Sequence, residues 1–357
     1  MNISEPLKRL EEVWETRKQK GLRGWHGYGI NTDGTKLMLF VEPGLNLQDL
    51  VKAAQLDTDE QESLEVFGSM QFRQMDTGNF ARPSTPLRPG ARVFGSGPTG
   101  VSCNGTIGGF LKLNGDGAVG SIWLLSNQHV LAGDDELPFN VEVRGAGQTL
   151  LSREVRVPDF KNRERTVDAA VARIHNDDIE DIDISYDRIQ ISCPNPMPSA
   201  KVGLHVQKFG NATGVTSGEL IGCLPRVEVA NCKDEGSTEF VNQLLFASNS
   251  DTFLAHGDSG ALVISNGHPV ALMFAIGEHI PEIPEQKKSF VPPFGLACPI
   301  ATVLDELPHD KSQSWEILLH NPQEQHESFR AKKTCTQDHA VSAFTCQEHL
   351  QQLLQAK

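Results

Sequence analysis

From Val93 to about Ile280 the chain is built of short apolar runs separated by glycine-rich turns, with almost no helical periodicity between them. Thr106 to Leu113, Gly120 to Ser126, Val141 to Arg144, Val167 to Ile174 and Leu204 to Phe209 read as strands. So do Gly218 to Leu224, Phe240 to Ala247, Ala261 to Ser265 and Pro269 to Ile276. Asn266-Gly267 is the two-residue turn that joins the last two into a hairpin. Many strands at this spacing point to a mainly β barrel or sandwich.

The flanks differ. Ser4 to about Lys20 reads as an amphipathic helix with Leu7, Leu10, Val13 and Trp14 on one face, Ser4 as its cap and Pro6 in its first turn. Gly21 to Gly34 is loop-rich, Lys36 to Val41 a strand, Leu45 to Leu56 a short helix and Leu64 to Gly68 another strand. Residues 1–75 thus form a small α+β module. Pro83, Pro86 and Pro89 mark 76–92 as a linker or surface strap, or as a processing site. A helix at Pro299 to Leu307 closes the β region, giving a unit over 93–307. Beyond it, 308–357 is a polar extension whose last stretch, Ala340 to Leu354, keeps helical spacing. That helix packs on the barrel or meets a partner.

Composition removes several classes of function. A net charge of −14 argues against nucleic-acid binding, which calls for a basic stripe. There is no apolar run long enough to span a membrane and no secretory leader pattern. The seven cysteines form no C-x-x-C pair and have no zinc spacing, so they read as reduced thiols in a cytoplasmic protein. Neither a phosphate-binding loop nor a dinucleotide fingerprint appears, so no cofactor and no metal is implied.

Three blocks could carry chemistry. In His256-Gly257-Asp258-Ser259-Gly260, a serine sits in a glycine turn between apolar segments. It is either punctuation or a nucleophile, with the N–H groups of Gly257 and Ser259 close to an incoming carbonyl. His129 ends the apolar run Leu124-Leu125-Ser126-Asn127-Gln128, where a base can be held at the rim of a sheet. Asp168 begins an apolar strand, where it either bonds local backbone or orients an imidazole. Asp134, Asp135 and Asp159 compete for that role but lie in polar loops. His256 adds a titratable group beside the serine, read as a loop histidine. The order His, Asp, Ser is that of chymotrypsin-fold enzymes. An α/β-hydrolase needs Ser, Asp, His and a G-x-S-x-G elbow, and Ala261 stands where its last glycine belongs.

Ser126-Asn127-Gln128-His129-Val130-Leu131-Ala132, Val167-Asp168-Ala169-Ala170 and Gly257-Asp258-Ser259-Gly260 resemble the active-site blocks of trypsin-like serine peptidases. More narrowly, the chain resembles intracellular bacterial members and the plant narrow-leaf type. Thr106-Ile107-Gly108-Gly109, Lys208 to Gly218 and Ala297 to Leu304 resemble further family segments. The resemblance implies two six-stranded antiparallel β-barrels, with the α+β module before them and a helical tail after. It also implies Ser259 as nucleophile, His129 as base, Asp168 as orienter, and the N–H groups of Gly257 and Ser259 as oxyanion hole. Phe253, six residues before the nucleophile, falls at the base of the specificity pocket, with Phe274-Ala275-Ile276-Gly277 as a wall. An apolar, filled pocket favours small or apolar residues over basic ones, although Asp251 lies close by.

No basic cleavage site of the usual activating kind precedes the barrel, so activation by a freed N-terminus inserting near Asp258 has no support; Asp258 then needs another partner, or reaches its active position without cleavage. The expectation is a peptidase acting on protein or peptide substrates, restrained by its N-terminal module or by a partner at either terminal region. The alternatives are a catalytically silent scaffold on the same fold and an acyl hydrolase using the same three residues.

Overall fold

A computed structural model describes residues 3–31, 34–42, 44–68, 70–74, 87–96, 102–115, 121–133, 142–145, 150–161, 163–174, 182–183, 191–197, 203–231, 236–248, 253–279 and 294–319. The helix expected over 340–354, most of the proline-rich strap, and Asp134, Asp135 and Asp251 lie outside these residues.

The N-terminal elements are α1 (Ser4–Thr16), β1 (Trp25–Asn31), β2 (Leu37–Val41), α2 (Leu47–Ala53), α3 (Thr58–Glu62), β3 (Leu64–Gly68) and β4 (Met70–Gln74). Next come β5 (Arg92–Ser96), β6 (Ser102–Thr106), β7 (Gly109–Asn114), β8 (Ile122–Ser126), α4 (Gln128–Leu131), β9 (Glu142–Gly145), β10 (Leu150–Ser152), β11 (Val155–Arg156) and β12 (Ala170–Arg173). The last group is β13 (His205–Gly210), β14 (Gly214–Ala230), β15 (Ser237–Ala247), β16 (Leu262–Ser265), β17 (His268–His279), β18 (Phe294–Pro299), α5 (Ile300–Glu306) and β19 (Ser314–Ile317). The protein is mainly β, consistent with a chymotrypsin-like pair of barrels. No helix among the described residues is long and apolar enough to cross a membrane.

The first half contributes two sheets, in the orders β10-β9-β5-β6 and β11-β12-β8-β7-β19. Between them lies a core of Val93, Ile107, Phe110, Leu124, Val130, Leu131 and Val143. The second half forms one large sheet, β13-β16-β17-β18-β15-β14-β1-β2-β3, with β13 also pairing β14, and β4 pairing both β14 and β17. The hairpin at Asn266-Gly267 forms as expected, with positive φ at both residues (49° and 78°) and Ser265 opposite His268.

The N-terminal elements do not stand apart. β1 runs antiparallel along β14, where sequence alone suggests a loop. Gly29 is what permits this: a Cβ there would collide with the Cys223 carbonyl oxygen and the Leu224 side chain. The register shift between Tyr28 and Ile30 faces Pro225 and lets β14 continue past a residue that cannot donate. The α1 stripe of Leu10, Val13 and Trp14 packs into this core, with Trp14, Trp25 and Tyr28 in mutual ring contact. Ile3, not Ser4, occupies the cap position, and no side-chain capping bond is made. Arg17 ties the end of α1 to Glu228 and Glu239 at 3.1 and 3.0 Å.

Residues just beyond Pro308 also join the fold. β19 adds to the edge of β7, and Trp315 packs edge-on against Trp123 with ring centres 5.5 Å apart. The tryptophan anchors what is otherwise a polar stretch.

Candidate active site

The pairing of β8 with β12 sets Ala170 opposite Ser126. Asn127 and the short α4 follow one strand, and Asp168 precedes the other. His129 and Asp168 are therefore brought side by side at the end of the same ladder. The Nδ1–H of His129 donates to Asp168 Oδ2 at 2.6 Å, and the backbone N–H of His129 donates to Oδ1 at 3.2 Å. Asn127 Nδ2 donates to the Asp168 carbonyl at 2.6 Å, fixing the backbone on which the carboxylate sits. Because Nδ1 faces a carboxylate it carries the ring proton, which leaves Nε2 to accept from the Ser259 hydroxyl at 2.9 Å. Ser259 Oγ also lies 3.3 Å from the Phe274 carbonyl oxygen on β17. Of the competing acids, Asp159 is spent on local backbone, accepting from the Lys161 N–H.

These three side chains are shut away from solvent: His129 is 1% exposed, and Asp168 and Ser259 are 0%. Burial opposes ionisation of Asp168. The charge of His129 when its ring is protonated, and the hydrogen bonds it donates, aided by Arg165, outweigh it and hold the carboxyl below its ordinary range. Burial pushes the thiol of Cys298, which accepts from the Asp168 N–H at 3.2 Å, far up, so it stays protonated.

The serine loop is clamped from both halves of the molecule. Gly257 and Gly260 have φ of 104° and 90°, values that L side chains rarely adopt. A side chain at position 260 would strike the Ser126 hydroxyl and the Thr106 carbonyl. Thr106, buried at the end of β6, donates its hydroxyl to the Gly257 carbonyl and its N–H to the Ser259 carbonyl, both at 2.7 Å. Its own hydroxyl accepts from the Asn211 N–H at 3.0 Å.

The Asp258 side chain is bonded to residues of the second half. Lys208 Nζ meets its Oδ2 at 2.8 Å, with both side chains 0% exposed. Thr213 Oγ1 donates to the same oxygen at 2.6 Å, and the N–H groups of Ala212 and Thr213 donate to Oδ1 at 2.9 and 3.2 Å. Lys208 is thus the cation paired with Asp258. Burial lowers the pKa of Lys208, against the raising effect of Asp258.

The residues expected to line a specificity pocket are all buried. The Phe253 ring lies 5.6 Å from Lys208 Nζ, and its carbonyl accepts from Thr216 Oγ1 at 2.8 Å. Phe274 turns its ring into the core against Phe240, 4.8 Å away, while its carbonyl faces Ser259. Ala275, Ile276 and Gly277 continue along β17 with β18 on one side and β4 on the other.

Three residues at the site carry roles that motif reading did not assign. Thr106 and Lys208 stood inside recognised blocks without a role. The one available signal was at Lys208, which occupies an inward position of β13, where alternation calls for an apolar residue. Gln74 had no signal. It arrives from the N-terminal β4 and donates through Nε2 to Asp168 Oδ2 at 3.1 Å.

No protein-family model matches this chain, and no curated protein matches it in sequence. Solved structures similar to it are serine proteases of the trypsin and chymotrypsin fold. A glutamic acid specific serine protease, described as using a histidine triad in substrate binding, is 15% identical with a TM-score of 0.40, covering 61% of this chain and 96% of that one. Thermobifida fusca Protease A is 12% identical with a TM-score of 0.39, covering 63% and 99%. Cellulomonas bogoriensis chymotrypsin is 13% identical with a TM-score of 0.36, covering 61% and 94%.

Proposed function

We propose that this protein is a serine endopeptidase that cleaves peptide bonds through an acyl-enzyme. The observation that carries the reading is the relay Asp168 to His129 to Ser259, with links of 2.6 and 2.9 Å and the middle ring held in one tautomer. Ser259 Oγ attacks the scissile carbonyl while its proton passes to His129 Nε2. The N–H groups of Gly257 and Ser259 hold the oxyanion, and Asp168 stabilises the imidazolium. Collapse breaks the C–N bond, with the His129 proton going to the departing amine. A water then gives its proton to His129 and attacks the ester; collapse breaks the C–Oγ bond, His129 returns the proton to Ser259 Oγ, and the acid leaves.

The buried Phe253, Phe274, Ala275 and Ile276 favour a small or apolar residue before the scissile bond over a basic one. A reducing, cytoplasmic setting accords with the free, buried thiols of Cys223 and Cys298. We include restraint by the N-terminal region in this proposal. A fluorophosphonate probe tests the chemistry: wild type becomes labelled, and Ser259→Ala and His129→Ala, folded by circular dichroism, do not. Absence of labelling in wild type, also in sub-denaturing urea, refutes the peptidase reading. A peptide-library profile dominated by Lys or Arg before the cut refutes the pocket assignment alone.

A further inference from the structure

An extended peptide offering a carbonyl to Ser259 must lie along a strand edge beside that serine, because its own backbone N–H and C=O groups need partners. The edge in question is on β17. Phe274, at its midpoint, has its carbonyl 3.3 Å from Ser259 Oγ, and the residues that follow run away from the nucleophile with β18 on their far side. That edge is occupied. β4 runs antiparallel along it, with Gln74 opposite Ala275, Arg73 opposite Ile276 and Phe72 opposite Gly277. On its other side β4 pairs in parallel with β14, Phe72 opposite Val229 and Arg73 opposite Ala230.

The alternation of β4 gives it the form of a bound ligand. Phe72 and Gln74 point inward and are buried, while Arg73 is exposed. Phe72 packs against Phe40 with ring centres 5.0 Å apart. Gln74 reaches the Asp168 carboxylate with its side-chain amide. Ser259 and His129, beside the acid that Gln74 touches, are almost wholly shielded, at 0% and 1% exposure.

From these contacts we infer that β4 is a resident strand in the substrate groove of this enzyme, and that the structure is its closed state. The inference rests on the peptidase reading for the meaning of the groove, but the occupation of the edge does not. It also names the class of ligand. A displacing peptide replaces the ladder hydrogen bonds of β4 one for one, so preference is left to its inward side chains. The fitting ligand is an extended segment with an aromatic residue and, two positions later, a carboxamide.

The test uses Arg73→Pro, which deletes a ladder donor from β4 while changing an outward side chain. The probe is a fluorescent synthetic peptide copying residues 68–74, and its binding is read by anisotropy on the full chain carrying Ser259→Ala. Arg73→Pro is expected to bind the peptide at least ten-fold more tightly than the chain with Arg73 retained. Peptides with alanine in place of the Phe72 or Gln74 equivalent are expected to lose that gain. Equal binding by the two folded proteins, or equal binding of the alanine peptides, overturns the proposal. If Arg73→Pro does not fold, Phe72→Ala, which loosens the anchor and leaves the ladder, takes the same measurement with the same expected direction. With Ser259 restored, faster fluorophosphonate labelling of the opened variant is expected. Peptide binding without any labelling leaves the resident strand standing and refutes the peptidase reading instead.

Discussion

Lys208→Met tests what holds the serine loop in place. The Lys208 to Asp258 pair spans 2.8 Å with neither side chain exposed, so the substitution strands a carboxylate in the interior. Removing one partner of such a pair costs about 3–5 kcal/mol. Thr213 Oγ1 and the N–H groups of Ala212, Thr213 and Ala255 still donate to the carboxylate, which puts the expected loss at the lower end, about 3 kcal/mol. Asp258 lies between Gly257 and Ser259, so relaxation of its side chain moves the donors meant for the oxyanion. Labelling is expected to slow about 100- to 1,000-fold, the range seen when one such donor is lost. Urea unfolding of wild type, Lys208→Met, Asp258→Asn and the double variant gives the coupling, expected at about 2 kcal/mol because the double variant strands no charge. In wild type the lowered pKa of Lys208 means the ammonium is lost below the usual lysine range. Across that window the unfolded chain holds more protons than the folded one, so this group makes stability rise with pH. Labelling that falls with rising pH while the fold persists therefore reports the ion pair. A Lys208→Met chain within about 1 kcal/mol of wild type, with an unchanged labelling rate, refutes the reasoning.

Asp168, depressed in the folded state, contributes stability that is fully present above its unfolded value of about 3.9 and lost as pH falls through the folded value. The melting temperatures of wild type and Asp168→Asn are therefore expected to differ at neutral pH and converge in acid; a constant gap contradicts this. Gly29→Ala forces a methyl into the Cys223 carbonyl and is expected to cost about 2–3 kcal/mol in urea unfolding. A neutral result would mean that β1 and β14 do not approach so closely.

The β architecture was legible because strands that bury one face must alternate and must turn, and the Asn266-Gly267 hairpin carries both signals at once. The relay was legible for a different reason. His129 and Asp168 flank neighbouring strand ends, so order and strand position were sufficient to draw them together. Strand β1 was not, since its glycines look like loop composition until β14 is seen pressing on them. The continuation of β14 past Pro225 depends in the same way on a register shift against β1, where Leu224 and Pro225 face the single Gly29. β19 was hidden because Trp315 is a single anchor in a polar stretch. Gln74 belongs to a third class. Nothing local marks a glutamine that will touch a carboxylate 94 residues away, because the contact is created by the pairing of β4 with β17.

The site is thus assembled from three stretches of chain that cannot form it separately. The first half supplies His129 on α4, just after β8, and Asp168, just before β12, together with the Thr106 clamp. The second supplies the serine loop, with Lys208 and Asp258 setting its far side. The N-terminal strand β4 reaches the acid and covers the edge next to the nucleophile. The serine loop is thus held from both sides, by Thr106 of the first half and by Lys208 of the second. What then separates the closed form from an open one is β4 itself, held by Phe72, Gln74 and a short ladder. A free peptide that makes those contacts still competes with a tethered strand, so loosening β4 is what lets it bind. On the reading proposed above, strand exchange at β17 sets access to the groove, and His129, Asp168 and Ser259 do not have to move.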